Sequence, residues 1–345
     1  MEISEGEMML GIAFGTRPEW LKIKPLVEQL KLNNIEYKII FTGQHDSLIE
    51  RDRYFDRKIR IVNGKNRLDS VFCSILNTDE IFEQITSVIV QGDTASAFAV
   101  ALAAFHRKIK VIHLEAGLRS FDIENPYPEE FYRKAISALA NINFCVSEVG
   151  ETNLKDEKVS GEIYTVGNTV LDNIPNLEIE YGNKILVTMH RRENHDMMKE
   201  WFNSLEKLAE QNKNLEFILP IHPNPNVKKH KKILKNVKVV DPLNHKELLG
   251  IISKCLFVIT DSGGLQEESS FLKKKSIVCR KTTERVEGLE NFSFLCESPK
   301  NLEVLFNNLL KNYYIDLPCP YGDGKSSIKI VEILKKVLDN GSFRV

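Results

Sequence analysis

The sequence predicts an α/β protein built from two open parallel sheets, and three observations carry that prediction. Short apolar runs alternate with longer amphipathic ones. The alternation pauses once, near Gly167-Asn168. Glycine and polar residues follow nearly every apolar run. In the first half, residues 8–14, 37–42, 87–91, 110–114, 142–146 and 163–166 read as strands, with helices over 19–32, 68–85, 95–105, 129–140 and 148–157. Residues 172–182, which include Pro175, read as a connector. Strands resume at 185–188, 215–220, 237–240, 256–260 and 276–279, with helices between them. The expected domains are therefore 1–169 and 170–327. In the last segment Ile330, Ile333, Leu334 and Val337 recur at helical spacing, which predicts a helix within 328–345 that packs back on the first domain. The lysine-rich stretch 228–238 reads as a solvated helix face.

Bulk properties narrow the function classes. A chain of 345 residues exceeds one ordinary core, and two domains of roughly 150–200 residues each are expected. The hydrophobic fraction of 42% and charged fraction of 28% are those of a globular protein. A net charge of −1 argues against a nucleic-acid or membrane-surface partner, so any anion site must be local. The six cysteines form no C-x-x-C pair and read as buried hydrophobes in a reducing compartment. The first residues are acidic, and no uncharged run approaches the ~18 residues of a membrane span. The expected location is the cytoplasm. The eight histidines are dispersed without an H-x-x-x-H pair, so no metal site is expected. No G-x-G-x-x-G follows the first strand, so no NAD site is expected either.

In open α/β sheets, ligands sit beyond the carboxyl ends of the strands. The segments found there are Gly15–Glu19, Gly43–Asp46, Gly92–Thr94, Glu115–Arg119, His190–Glu193, His222–Asn226 and Thr260–Glu268. On the same edge of two sheets they favour an interdomain cleft that holds a polar ligand. In the last of them Ser262 suits a helix N-cap, and Gly263 and Gly264 let backbone N–H groups approach a phosphate at the positive end of a helix dipole. The same residues suit an ordinary turn that needs positive φ. Asp93 before Thr94 also suits an N-cap, and Glu129 after Pro128 suits the first turn of a helix. The residues alone leave both readings open.

Taken together, the chain resembles the non-hydrolysing UDP-N-acetylglucosamine 2-epimerases from Phe14–Glu19 to Pro320–Gly324. The most specific segments are His113–Arg119, Pro128-Glu129-Glu130, His190–Glu193, Thr260–Gly264 and Gln266–Glu268. The resemblance implies a glycosyltransferase-B-like fold, two Rossmann-like parallel-sheet domains facing across a cleft. It also implies a homodimer interconverting UDP-GlcNAc and UDP-ManNAc, without a cofactor, by elimination of UDP to a 2-acetamidoglucal and re-addition. Asp93, Glu115, Glu129 and His190 match the catalytic residues of the family. Arg17, His222, Ser262, Gly263, Gly264, Glu268 and Arg285 match positions that hold UDP there. Lys22, one turn beyond Arg17, is read either as a further UDP contact or as an exposed helix lysine. Arg119 and Arg133 are expected to orient Glu115 and Glu129. Gln44 and His45 match part of a second, activating UDP-GlcNAc site of bacterial members, whereas Asp46-Ser47 and the Lys65–Arg67 region match it poorly. Gln91, Tyr132, Met189 and Val286 depart from the family pattern and remove none of these side chains. Alternatives are a hydrolysing epimerase that releases free ManNAc, a glycosyltransferase of the same fold, and a nucleotide-sugar sensor without catalysis.

Overall fold

The computed structural model of the chain describes residues 9–44, 55–62 and 66–339. It contains two compact units, Met1–Asn173 with Gly324–Val345, and Ile174–Asp323. Among the described residues the first holds seven parallel strands: β1 (Leu10–Phe14), β2 (Tyr37–Phe41), β3 (Arg57–Lys58), β4 (Ser87–Gln91), β5 (Lys110–Ala116), β6 (Ile142–Cys145) and β7 (Glu162–Thr165). Their order is β3-β2-β1-β4-β5-β6-β7. The central strands β1 and β4 are buried along their whole length, as a parallel sheet covered on both faces requires. Ile12, Ile89 and Ile112 face one layer with α1 (Arg17–Leu32) and α11 (Ser326–Asp339). Val88, Val90 and Val111 face the other, packed by α2 (Arg67–Leu76), α3 (Ala95–His106) and α4 (Glu129–Leu139). A shorter helix, α5 (Glu148–Asp156), leads into β7.

Two side chains near the end of this unit's main segment repair helix defects. Pro25 lies inside α1 and cannot donate to the carbonyl of Leu21; the Asn173 amide does so instead, at 2.6 Å. The Asp172 carboxylate accepts the backbone N–H groups of Ser326 at 3.0 Å and Ser327 at 2.6 Å, closing the start of α11.

The second unit is a six-stranded parallel sheet, ordered β10-β9-β8-β11-β12-β13. Its strands are β8 (Lys184–Thr188), β9 (Glu216–Pro220), β10 (Lys238–Val240), β11 (Phe257–Thr260), β12 (Ser276–Val278) and β13 (Ser293–Leu295). Its helices are α6 (Met198–Gln211), α7 (Pro225–Lys228), α8 (His245–Lys254), α9 (Gly263–Phe271) and α10 (Leu302–Lys311). Trp201, Phe202, Phe217, Phe257 and Phe306 dominate its core. In both sheets the strand order reverses direction once, at β1/β4 and at β8/β11, and at such points the loops leaving adjacent strands diverge and open a crevice.

Two local expectations are corrected, and two strands were not expected. The helix expected over 68–85 stops at Leu76, because Asn77, Thr78 and Asp79 favour a stop and Arg107 satisfies the Leu76 carbonyl at 3.2 Å. The lysine-rich stretch is not a long helix: α7 has four residues, and a 3-10 turn over Lys231–Ile233 follows. β3 and β13 span two and three residues, too short to show a period.

Gly117, just past β5, has φ +83°, and a Cβ there would lie 2.3 Å from the carbonyl oxygen of Gly150. Gly250, inside α8, has no atom within 4 Å of such a Cβ. Gly117→Ala is therefore expected to cost more than about 2 kcal/mol of unfolding free energy. Gly250→Ala is expected to gain about 0.5–1 kcal/mol. Urea denaturation of the two variants checks both signs.

Candidate functional site

In the first unit the loops after β1 and β4 are tied together by Glu19. Thr16 caps α1, and Arg17, the first residue of that helix, is exposed. The buried Glu19 carboxylate accepts the Gly15 N–H at 3.0 Å and the Thr94 hydroxyl at 2.8 Å. Burial holds its pKa above the ordinary carboxylate value, against those hydrogen bonds. Thr94, not Asp93, caps α3, its hydroxyl accepting the Ala97 N–H at 3.1 Å. That leaves the Asp93 carboxylate for Arg133, at 2.7 Å. The same guanidinium reaches Glu130 at 2.9 Å, and Glu130 accepts the backbone N–H groups of Ser120 and Phe121. Arg133 thus binds Asp93 and Glu130, neither of which was its expected partner.

Glu115 sits where the register of β5 shifts against β6, between Leu114 and Ala116, with φ +61°. A long side chain in the left-handed region is an outlier, and here it accompanies a bulge that re-aims the side chain. Donors that meet its carboxylate include Lys22 Nζ at 2.6 Å, Gln91 Nε2 at 2.6 Å and Asn168 Nδ2 at 3.3 Å. Lys22 is largely shielded and belongs to Glu115, so it is not an exposed helix lysine. Arg119 does not orient Glu115 as expected; its fully buried guanidinium binds Glu157 at 2.8 Å. Glu129 is the first residue of α4 and is half-buried. His113 lies under this group, its Nε2 paired with the Gly92 carbonyl at 2.9 Å. Burial lowers its pKa to about 4, so the imidazole is neutral and Nε2–H donates to the turn before Asp93.

In the second unit Asp261 is the anchor. Its carboxylate has no exposed area and accepts the N–H groups of His190 at 2.9 Å and Arg191 at 2.8 Å, and the Asn194 amide at 3.1 Å. His190 Nδ1 lies 3.3 Å from the same carboxylate, and its ring stacks on His222 at 5.3 Å between centroids. Burial lowers the His190 pKa, opposed by Asp261. His222, more exposed, is also lowered by desolvation. Ser262 occupies the N-cap position of α9 without a side-chain capping bond; the hydroxyl behind it is that of Thr260, which accepts the Ser262 N–H at 2.9 Å.

Gly263 and Gly264 are not in the left-handed region. A Cβ on Gly263 would lie 2.7 Å from Nη1 of Arg285, so that glycine makes room for the arginine. Gly264 faces open space within a cavity of about 320 Å³. Pro242, Leu243 and Leu248 give this cavity an apolar wall, while His190, His222, Ser262 and Glu268 give it polar groups. Arg285 is buried on Glu267, at 2.7 Å, and on Glu284. Glu268 is paired with His245 at 2.7 Å, a residue given no role from the sequence. The lining suits the apolar face of a planar ring against the prolines and leucines, with an anion at the start of α9.

Gln44 turns inward, its side-chain oxygen accepting the Ser96 hydroxyl at 2.6 Å and N–H at 3.1 Å at the start of α3. His45 lies outside the described residues. The first unit therefore gathers Lys22, Gln91 and Asn168 on Glu115, and Arg133 on Asp93 and Glu130, as two hydrogen-bonded groups. The second gathers His190, His222, Ser262, Gly264 and Glu268 around one cavity. Glu130, Asp261 and His245 are among the residues whose roles sequence reasoning missed. Glu130 and Asp261 stood inside the recognised segments, but His245 carried no signal.

The family model for UDP-N-acetylglucosamine 2-epimerase matches residues 28–335. UDP-N-acetylglucosamine 2-epimerase of Campylobacter jejuni is 35% identical, covering 96% of this chain and 98% of its own. The crystal structure of UDP-GlcNAc 2-epimerase from Neisseria meningitidis, bound to UDP-GlcNAc, is 31% identical with a TM-score of 0.85, covering 95% of this chain and 100% of that one. The enzyme of Methanocaldococcus jannaschii, crystallised with UDP-GlcNAc and UDP, is 31% identical with a TM-score of 0.79 and the same coverage. Among the described residues no helix is long and apolar enough to cross a membrane.

The His113 environment has a pH signature. Above about 6.5 the ring is neutral in folded and unfolded chains alike. As pH falls from there toward about 4, only the unfolded chain takes up the proton, so stability is lost across that window. The loss is about 3 kcal/mol. Denaturant titrations from pH 7.5 to 4.5 are expected to show a steeper decline for the wild type than for His113→Gln; parallel curves would mean that the ring is not held neutral.

Proposed function

We propose, because this chain belongs to the UDP-N-acetylglucosamine 2-epimerase family, that it interconverts UDP-GlcNAc and UDP-ManNAc by the non-hydrolysing route. The carbon to be inverted, C2, carries an acetamido group and cannot be oxidised to a simple ketone. The workable path is elimination. The C1–O bond breaks, and UDP leaves with the electron pair. The C2 proton passes to a carboxylate, and a 2-acetamidoglucal forms. UDP then adds back to C1 while a proton returns to the opposite face of C2. The C2 proton is weakly acidic, so C1–O cleavage leads and positive charge develops at C1.

The observation that carries this reading furthest is the treatment of Glu115: a carboxylate in a left-handed backbone, gripped by Lys22, Gln91 and Asn168. Strain of this kind, held by several donors, is characteristic of functional positions. Asp93, Glu115 and Glu129 are assigned to moving the C2 proton and to stabilising positive charge at C1. The leaving diphosphate is assigned to the backbone N–H groups at the start of α9, around Ser262, Gly263 and Gly264; Arg17, exposed at the start of α1, is assigned to UDP as well. His190, fixed by Asp261 and kept short of protons by burial, gains one more readily once a diphosphate is nearby, and so supports departure and return of UDP. His222 stacks behind it. Glu268 is assigned to the ribose hydroxyls. Arg285 is read as shaping the start of α9 through Gly263. The active species is read as a homodimer, supported by the exposed apolar Leu68 on α2 and Phe131 on α4.

Purified protein is expected to convert UDP-GlcNAc to a mixture with UDP-ManNAc without added NAD or metal. In D2O, NMR should find deuterium at C2 of both epimers. Complete retention of the C2 proton would remove the elimination path, and accumulation of free ManNAc would point to the hydrolysing branch. Glu115→Gln should lower turnover by about 10³-fold or more while leaving UDP affinity nearly unchanged, measured by steady-state kinetics and calorimetry.

A further inference from the structure

Glu268 poses a geometric problem that its own helix does not solve. It lies in the second turn of α9, its side chain is 7% exposed, and it lines the cavity beside Pro242, Leu243 and Leu248. A glutamate carboxylate turns freely about its last bond, and accepting hydrogen bonds from two neighbouring hydroxyls requires that the turn be stopped. The stop comes from α8. His245, its first residue, places Nε2 at 2.7 Å from Oε1 of Glu268.

The backbone that carries this ring is itself held. Asn244 and Glu247 form a reciprocal capping box at the start of α8: the Asn244 side chain accepts the Glu247 N–H at 2.9 Å, and the Glu247 carboxylate accepts the Asn244 N–H at 2.8 Å. Leu248, almost one turn further along α8, forms part of the same cavity wall. One helix start therefore supplies both an apolar surface and the donor that orients the carboxylate.

We propose that His245 is the positioning residue for ribose recognition. Its ring N–H occupies Oε1 of Glu268 and leaves Oε2 turned toward the vicinal hydroxyls of a ribonucleotide. The preference for ribose over deoxyribose then depends on a side chain that need not touch the nucleotide. The inference rests on the assignment of Glu268 to the ribose.

The test is calorimetric binding of UDP and of 2′-deoxy-UDP to wild type, Glu268→Gln, His245→Phe, His245→Asn and His245→Gln. The readout is the ratio of the two affinities, which does not depend on the fraction of protein that is folded. Wild type should favour UDP by about 10-fold or more, the worth of a charge-assisted hydrogen bond. Glu268→Gln should bring the two ligands close to equality. His245→Phe and His245→Asn, which lack a donor at the Nε2 position, should do the same. His245→Gln, whose amide nitrogen reaches nearly the same place, should restore much of the preference. If the Phe and Asn variants keep the wild-type ratio while Glu268→Gln loses it, His245 does not position the carboxylate and the inference falls. If Glu268→Gln also keeps the ratio, or wild type shows none, the ribose assignment fails and takes the inference with it.

Discussion

A carboxylate removed from water must have its charge answered by hydrogen bonds, and three such groups hold loops at the carboxyl ends of the strands, two in the first unit and one in the second. Glu19 accepts the Gly15 N–H and the Thr94 hydroxyl, Glu130 accepts the Ser120 and Phe121 N–H groups, and Asp261 accepts those of His190 and Arg191. Loops at the carboxyl ends of parallel strands have no ladder of their own to fix them. A buried acceptor placed among their N–H groups supplies that restraint. Removing one partner of such a group leaves a polar atom stranded, and the cost of that makes each staple effectively all-or-none.

The same staples distribute charge. Arg133 answers both Glu130 and Asp93, so the residue that braces the loop before α4 also aims a proposed catalytic carboxylate. Glu115 is handled differently, with Lys22, Gln91 and Asn168 converging from α1, β4 and the segment after β7. In the second unit Asp261 does double duty. It holds the backbone of the His190 loop and lies near the ring of that histidine, opposing the downward pull of burial on its pKa.

Much of this was legible in the sequence, and the part that was not has a common cause. The residues following β1, β4, β5, β8 and β11 stood out because glycine and charged residues interrupted apolar runs. Their pairings did not. Asp93 and Arg133 are 40 positions apart, His245 and Glu268 are 23 apart, and Lys22 and Glu115 are 93 apart. Which side chains meet depends on strand order, and order is not written in any local period. The expectation that Arg119 would orient Glu115 failed for that reason. Ser262 illustrates a subtler limit: the residue stands at the N-cap position, but the nearby hydroxyl that meets a backbone N–H belongs to Thr260.

By itself, then, the sequence determined the fold class, the parallel character of both sheets and the edge on which the polar residues gather. Those follow from apolar periodicity and from the turn chemistry between elements, which act over a few residues. Only the tertiary structure decided which donor meets which acceptor. It set the left-handed backbone of Glu115 at a register shift, the role of Gly263 in admitting Arg285, and the hold of His245 on Glu268. Those outcomes depend on distances of 2.6 to 3.3 Å between residues brought together by sheet order and helix packing, and hydrogen bonding weakens too steeply with geometry for composition alone to foretell it.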